Sequence, residues 1–196
     1  KHLNYDIKTS LNYLTAAAKV TISNVGTYAP KPYEIGEALF LSNQKNILTH
    51  DELPLILEKL KSSNKKIVFT NGCFDILHKG HVSYLNTAKS FGDVLILGLN
   101  SDASVKRLKG EDRPINCEDD RAYILSALEC VDYVVIFDED TPYELISKIQ
   151  PDVLVKGADY EGKEVVGSDI AKQTKLVTFV DGKSTTKTIE KIQKAN

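Results

Sequence analysis

From Thr49 onward, this 196-residue chain alternates short apolar runs with stretches of helical periodicity, a pattern that few folds can house. Lys66-Ile67-Val68-Phe69-Thr70 stops at Asn71-Gly72 and predicts a buried first strand. Further strands are predicted at Asp93 to Leu99, Tyr133 to Phe137, Asp152 to Val155 and Lys175 to Val180. Helices are predicted at 79–90, 117–129, 168–173 (a short one) and 185–194. Another is opened by Thr141-Pro142-Tyr143-Glu144, with proline at its first position, whereas residues 100–114 read as a polar loop. Ahead of the first strand, Thr49-His50-Asp51-Glu52 matches a capping box for a helix carrying Leu53, Leu57 and Leu60. Strands joined through helices run parallel and are covered on both faces. The chain therefore predicts an α/β fold, a doubly wound parallel sheet of five strands with helices on both faces. In such sheets ligands bind beyond the carboxyl ends of the strands, where chain order reverses.

The first 48 residues follow no such pattern. Thr9 to Ser23 predicts a helix with Leu11, Leu14 and Ala18 on one side, stopped by Asn24-Val25-Gly26. Tyr28-Ala29-Pro30-Lys31-Pro32 is loop, because two prolines two apart cannot sit inside a helix. So little structure cannot enclose a core, which makes 1–48 a short helical remnant or linker and 49–196 the domain. The chain has no methionine, and Lys1 stands at its start, so a segment of a longer protein is expected. Lys+Arg 25 against Asp+Glu 27 leaves a net charge of −2, without the basic excess that bulk binding to nucleic acid or anionic lipid requires. No aliphatic run approaches the roughly 18 residues of a membrane span. The expected partners thus include neither nucleic acid nor membrane. Cys73, Cys117 and Cys130, odd in number and widely spaced, read as reduced thiols of a cytoplasmic protein.

The turn after the first strand reads Thr70-Asn71-Gly72-Cys73-Phe74-Asp75-Ile76-Leu77-His78-Lys79-Gly80-His81. Two histidines three apart at a helix N-terminus share one side, where free amides and the positive end of the helix dipole attract phosphate. Gly72 and Gly80 let backbone and ligand approach closely. Two other readings stay open on these letters alone: a chance string with His78 packed and His81 solvated, and a metal site from His78, His81 and Asp75. Two decoys fail. Gly157 to Glu164 nearly spells a phosphate loop, but Glu164 stands where a hydroxyl must hold Mg²⁺. Asp138-Glu139-Asp140 lacks the glycine and closing glutamate of a calcium loop, and reads as a solvated strand end.

Gly72-Cys73-Phe74-Asp75 followed by His78-Lys79-Gly80-His81 resembles the signature of the HxGH nucleotidyltransferase superfamily. Within it, the chain is similar to the adenylyltransferase domain of the bifunctional ADP-heptose synthases. The likeness continues through Arg107-Leu108-Lys109-Gly110 with Arg113-Pro114-Ile115, then Arg121, then Leu154 to Tyr160 (with Ala158 where the family usually has glycine), and Gly182-Lys183-Ser184-Thr185-Thr186. The remnant, Leu11 to Ala18 through Gly26-Thr27-Tyr28, is similar to the last segment of a ribokinase-like sugar kinase.

The resemblance implies a Rossmann-like sheet and transfer of AMP from ATP to D-glycero-beta-D-manno-heptose 1-phosphate. The products would be ADP-heptose, for lipopolysaccharide core synthesis, and pyrophosphate. By the same resemblance His78, His81, Lys109 and Arg121 are the catalytic candidates. Thr70, Gly72, Phe74, Asp75, Gly80, Arg113, Lys156, Gly157, Asp159, Ser184, Thr185 and Thr186 are the nucleotide-binding ones. Cys73 replaces a hydroxyl residue found in several relatives. ATP is the expected substrate, with Mg²⁺ travelling on the nucleotide and no protein metal ligands. A homo-oligomer and a covalently linked kinase domain in the full-length protein are also implied. Two further readings remain: another HxGH enzyme, such as a glycerol- or ethanolamine-phosphate cytidylyltransferase, or a nucleotide-binding module without turnover.

Overall fold

The computed structural model describes residues 7–23, 28–35 and 46–178, and beyond these 185, 188, 189 and 191. Helix α1 (Ile7–Ser23) precedes the sheet domain, whose elements run β1 (Ile47–Leu48), α2 (Leu53–Ser62), β2 (Ile67–Gly72), α3 (Lys79–Lys89), β3 (Val94–Asn100) and α4 (Asp102–Lys109). They continue with α5 (Glu118–Ser126), β4 (Tyr133–Phe137), α6 (Tyr143–Ile149), β5 (Val153–Gly157), a 3₁₀ turn (Ala158–Tyr160) and β6 (Gln173–Val177). The strand order is β1-β4-β3-β2-β5-β6, and every neighbouring pair is parallel. From β2 the chain winds through β3 to β4 in one direction and through β5 to β6 in the other. The switch point therefore lies between β2 and β5.

Alternate residues of the strands feed two cores. Ile67, Phe69 and Ile96 pack with Leu53, Ile56, Leu57 and Leu60 of α2 and with Leu145, Ile146 and Ile149 of α6. Val68, Leu95 and Leu97 pack on the opposite face with Leu85 and Ala88 of α3 and with Ala122 and Leu125 of α5. Each fully buried aliphatic side chain contributes about 1.5–3 kcal/mol, which is why the central strands are apolar on both faces.

The amino edge of the sheet is held by aspartates, each one residue before a strand. Asp93 accepts from the Lys66 amide at 2.8 Å, Asp132 from the Leu95 amide at 2.7 Å, and Asp152 from the Ile67 amide at 2.7 Å. Each carboxylate thus fixes the register of the strand beside it, leaving the carboxyl ends to the loops.

The structure departs from the expected pattern at four places, the first being residues 32–35, which are helical although a loop is expected through Pro32. The sheet has six strands, because Ile47–Leu48 pairs with β4 ahead of the expected domain start. The expected polar loop at 100–114 contains α4, capped by Ser101, whose side chain accepts from the Ser104 amide at 3.0 Å. Residues 168–170 form turns instead of a short helix, and β6 already begins at Gln173. The stop signal Asn24 to Gly26, Phe179, Val180 and most of the expected last helix lie outside the described residues.

The capping box at Thr49 forms as expected, with the Thr49 amide donating to Glu52 Oε2 at 2.8 Å and the Glu52 amide to Thr49 Oγ1 at 3.3 Å. Gly167 sits at φ 86°, and a Cβ there would lie 2.6 Å from Ile146 Cδ1 and 2.9 Å from its Cγ2. Gly167→Ala is therefore expected to destabilise the fold by about 1–3 kcal/mol, read as a lower urea midpoint with an unchanged slope.

Candidate active site

A cleft of about 380 Å³ opens over the carboxyl ends of β2, β3, β4 and β5. Of the residues singled out from sequence, Gly72, Phe74, His81, Lys109, Lys156, Gly157 and Asp159 line it. Asn71, Tyr84, Asn100 and the Asp140-Thr141-Pro142 turn line it too, and sequence reasoning did not nominate them. The rule that ligands sit beyond strand ends would have found Asn71 and Asn100, the polar residues near the ends of β2 and β3.

His78 is the N-cap of α3, and its ring stacks on that of His81 with centroids 3.8 Å apart and planes 12° from parallel. The spacing of three thus brings both imidazoles together. Phe74, held at φ 44°, turns its ring edge-on to His81 at 5.3 Å. A Cβ on Gly72 would meet that ring at 3.0 Å, so glycine leaves room for the turn. Among the described residues, His81 Nδ1 is buried without a hydrogen-bond partner. Such an orphan costs about 1–3 kcal/mol and asks for an explanation beyond packing.

Burial, with a smaller contribution from the His78 charge, lowers His81 to about 4. The unfolded chain then binds this proton more readily, so stability falls as pH drops from 6.5 towards 4. His81→Gln is expected to flatten that stretch of the stability–pH curve. An unchanged slope in pH-dependent urea melts would count against this assignment.

Other nominated residues build the walls. Asp75 is 3% exposed; its carboxylate accepts from Arg113 Nε at 2.6 Å and from the Ile115 and Asn116 amides at 2.8 and 3.0 Å. Burial alone would raise the Asp75 carboxyl, but the Asn116 and Ile115 amides and the Arg113 guanidinium together hold it below the usual range. Thr70, expected at the nucleotide, is buried and bonded to the Tyr84 hydroxyl at 2.8 Å, which donates on to Val155 O at 3.1 Å. Arg121, expected near the phosphates, is 1% exposed. It donates to Asn116 O at 3.0 Å, Cys73 O at 2.6 Å, Asn100 O at 2.9 Å and Asp102 Oδ1 at 2.7 Å. It joins the turn after β2, the end of β3, the start of α4 and the lead into α5.

Gly80 is buried in α3. Lys109 is exposed at the rim. Thr185 Oγ1 donates to Ile76 O at 3.3 Å, two residues before His78. Ser184 and Thr186 lie outside the described residues. Burial pushes the Cys73 thiol up, which keeps it protonated and a poor nucleophile. The acidic strand end is solvated as its sequence suggests, with Asp138 and Asp140 both exposed; Arg107 Nε donates to Asp140 Oδ1 at 2.8 Å, and Ser101 donates to Asp138. No group of three or more His, Cys, Asp or Glu among the described residues is arranged to hold a metal ion.

The model of the cytidylyltransferase-like family matches residues 69–191, from within β2 across the whole cleft. The chain belongs to the cytidylyltransferase-like family. Its relatives include the Bifunctional protein HldE of Aliarcobacter butzleri, 59% identical over 192 residues that make up 96% of this chain and 40% of that protein. The Bifunctional protein HldE of Wolinella succinogenes is 56% identical over 195 residues, 97% of this chain and 41% of that protein. The chain thus spans about two fifths of the length of these curated relatives. Among solved structures, pantoate-beta-alanine ligase from Francisella tularensis, complexed with beta-gamma ATP and beta-alanine, aligns with a TM-score of 0.51 at 18% identity. That alignment covers 67% of this chain and 66% of the ligase, and the likeness is one of fold. The cytidylyltransferase-like match takes in His78, His81, Lys109, Arg121 and Lys156, so the cleft lies within the family's own domain. No helix of the described residues is long and apolar enough to cross a membrane.

Proposed function

We propose that this cytidylyltransferase-like domain transfers AMP from ATP to D-glycero-beta-D-manno-heptose 1-phosphate, giving ADP-heptose and pyrophosphate for lipopolysaccharide core synthesis. The observation that carries the reading is the stacked His78–His81 pair at the start of α3, with His81 facing the cleft beside the switch point. Identity of 56–59% to two HldE proteins supports the choice of substrate class.

The acceptor's phosphate oxygen attacks the α-phosphorus of ATP, and the bond to the β-phosphate oxygen breaks as pyrophosphate leaves. The second pKa of a phosphate monoester is about 6, so the nucleophile is ionised near neutral pH and needs no protein base. What the protein must supply is alignment of two polyanions and stabilisation of charge on the α-phosphate and leaving group. His78 and His81 donate there. Lys109 adds positive charge from the rim, while Ser184, Thr185 and Thr186 take the outer phosphates. Mg²⁺ comes with the nucleotide. Arg121 and Asp75 act as positioning residues, since their polar atoms are engaged with the cleft walls.

In the full-length protein, the residues ahead of β1 carry the end of a linked sugar-kinase domain, and the enzyme works in the cytoplasm as a homo-oligomer. The test is pyrophosphate release with ATP or CTP against heptose 1-phosphate, glycerol phosphate and ethanolamine phosphate. ATP with heptose 1-phosphate should be the productive pair. Turnover only with CTP, or ATP binding without turnover for any acceptor, would overturn the reading.

A further inference from the structure

We propose that Lys156 and Asn71, facing each other across the switch point between β5 and β2, form a second seat in the cleft for a substrate phosphate. Lys156 is 6% exposed and lines the cleft. Its ammonium donates to Asn71 Oδ1 and lies 5.3 Å from the centre of the Tyr160 ring. Among the described residues no carboxylate comes within salt-bridging distance of it. A neutral amide and a π-face leave a buried cation with no carboxylate in direct contact, only Asp159 at longer range, an arrangement that is costly unless something anionic completes it. An aspartate at 71 would have closed the pair within the fold. Asparagine holds the ammonium in place without neutralising it.

The charged and titratable groups around it share the cleft. Asp159 and Tyr160 follow on the same strand end, Tyr84 and His81 come from α3, and Lys109 and Asp140 stand towards the ends of β3 and β4. Burial lowers Lys156 to about 8, with Asp159 pulling the other way. In the free cleft near pH 8 a fraction of the Lys156 side chains has thus given up its one titrating proton, and an arriving phosphate draws it back. Binding should therefore take up a fraction of a proton at pH 8 and less at pH 7, where more of Lys156 is already charged.

The seat rests on reading the cleft as a nucleotidyl-transfer site, and its occupant is either a nucleotide phosphate or the acceptor's. Two titrations separate them: α,β-methylene ATP, which cannot transfer its adenylate, and then heptose 1-phosphate added to protein saturated with that analogue. Both are run by calorimetry at pH 8 in two buffers of different ionisation enthalpy, on wild type, Lys156→Met and Asn71→Asp. Wild type should take up a measurable fraction of a proton with one of the two ligands. Both variants should lose that uptake and bind that ligand roughly tenfold or more weakly. The ligand affected names the occupant.

A folded Lys156→Met protein with wild-type affinity and uptake for both ligands would overturn the seat. Should that variant not fold, Asn71→Asp decides alone, because its carboxylate would occupy the ammonium, and unchanged affinity for both ligands would refute the proposal. Pyrophosphate release measured in parallel separates this from the function proposed above. Wild-type turnover with Lys156-independent binding removes only the seat, and Lys156-dependent binding without turnover removes only the reaction.

Discussion

His81→Ala is expected to lower kcat for pyrophosphate release by roughly 10²–10⁴-fold, the loss seen when a donor to developing charge is removed. Among the described residues the ring has no hydrogen-bond partner through Nδ1, and burial keeps it neutral in the free protein. A neutral imidazole still donates through one nitrogen, and a triphosphate beside it would raise its proton affinity as charge builds on the α-phosphate. His78→Ala should cost a comparable factor, because His78 both stacks on His81 and caps α3. The two losses should combine to less than their product, since each ring positions the other. Near-wild-type turnover in a well-folded His81→Ala protein would defeat the assignment.

Arg121→Met should destabilise the domain by about 3–5 kcal/mol, the usual cost of stripping one partner from a buried charged network. Three backbone carbonyls and Asp102 lose their donor together. Methionine fills part of the volume but answers none of those acceptors. Urea denaturation would show the change as a lower midpoint. Arg121→Lys keeps the charge but cannot span four acceptors, so it should fold and raise the KM for ATP while leaving the pH profile of kcat in place. A wild-type midpoint in Arg121→Met would show that the guanidinium is dispensable to the walls.

How much of this was legible in the sequence follows from the range of the forces. Period and capping are local, so Tyr133 to Phe137 was read to the residue and the reciprocal bonds of Thr49 and Glu52 were foreseen. Strand β1 is two residues long, and only the edge of β4 makes it a strand. Helix α4 hid because just Ser104 and Val105 are buried in it, leaving no apolar stripe to read. The His78–His81 pair was readable from its spacing. The role of Arg121 was not, because its acceptors Cys73 and Asn100 lie 48 and 21 positions away and meet it only after folding. Thr70 misled for the same reason: its partner Tyr84 is set by packing on the floor of the cleft.

The carboxylates of Asp93, Asp132 and Asp152 tie strand registry to the edge opposite the cleft. Strand alignment is thereby uncoupled from loop length at the substrate-facing end. The stretch 110–112, which stops short of the Arg113, Ile115 and Asn116 bonds to Asp75, could be exchanged between distant homologues, or lengthened by selection, without slipping the sheet. A scaffold arranged this way can acquire new acceptors by insertion, and chimeras should keep their melting behaviour while their substrate range moves.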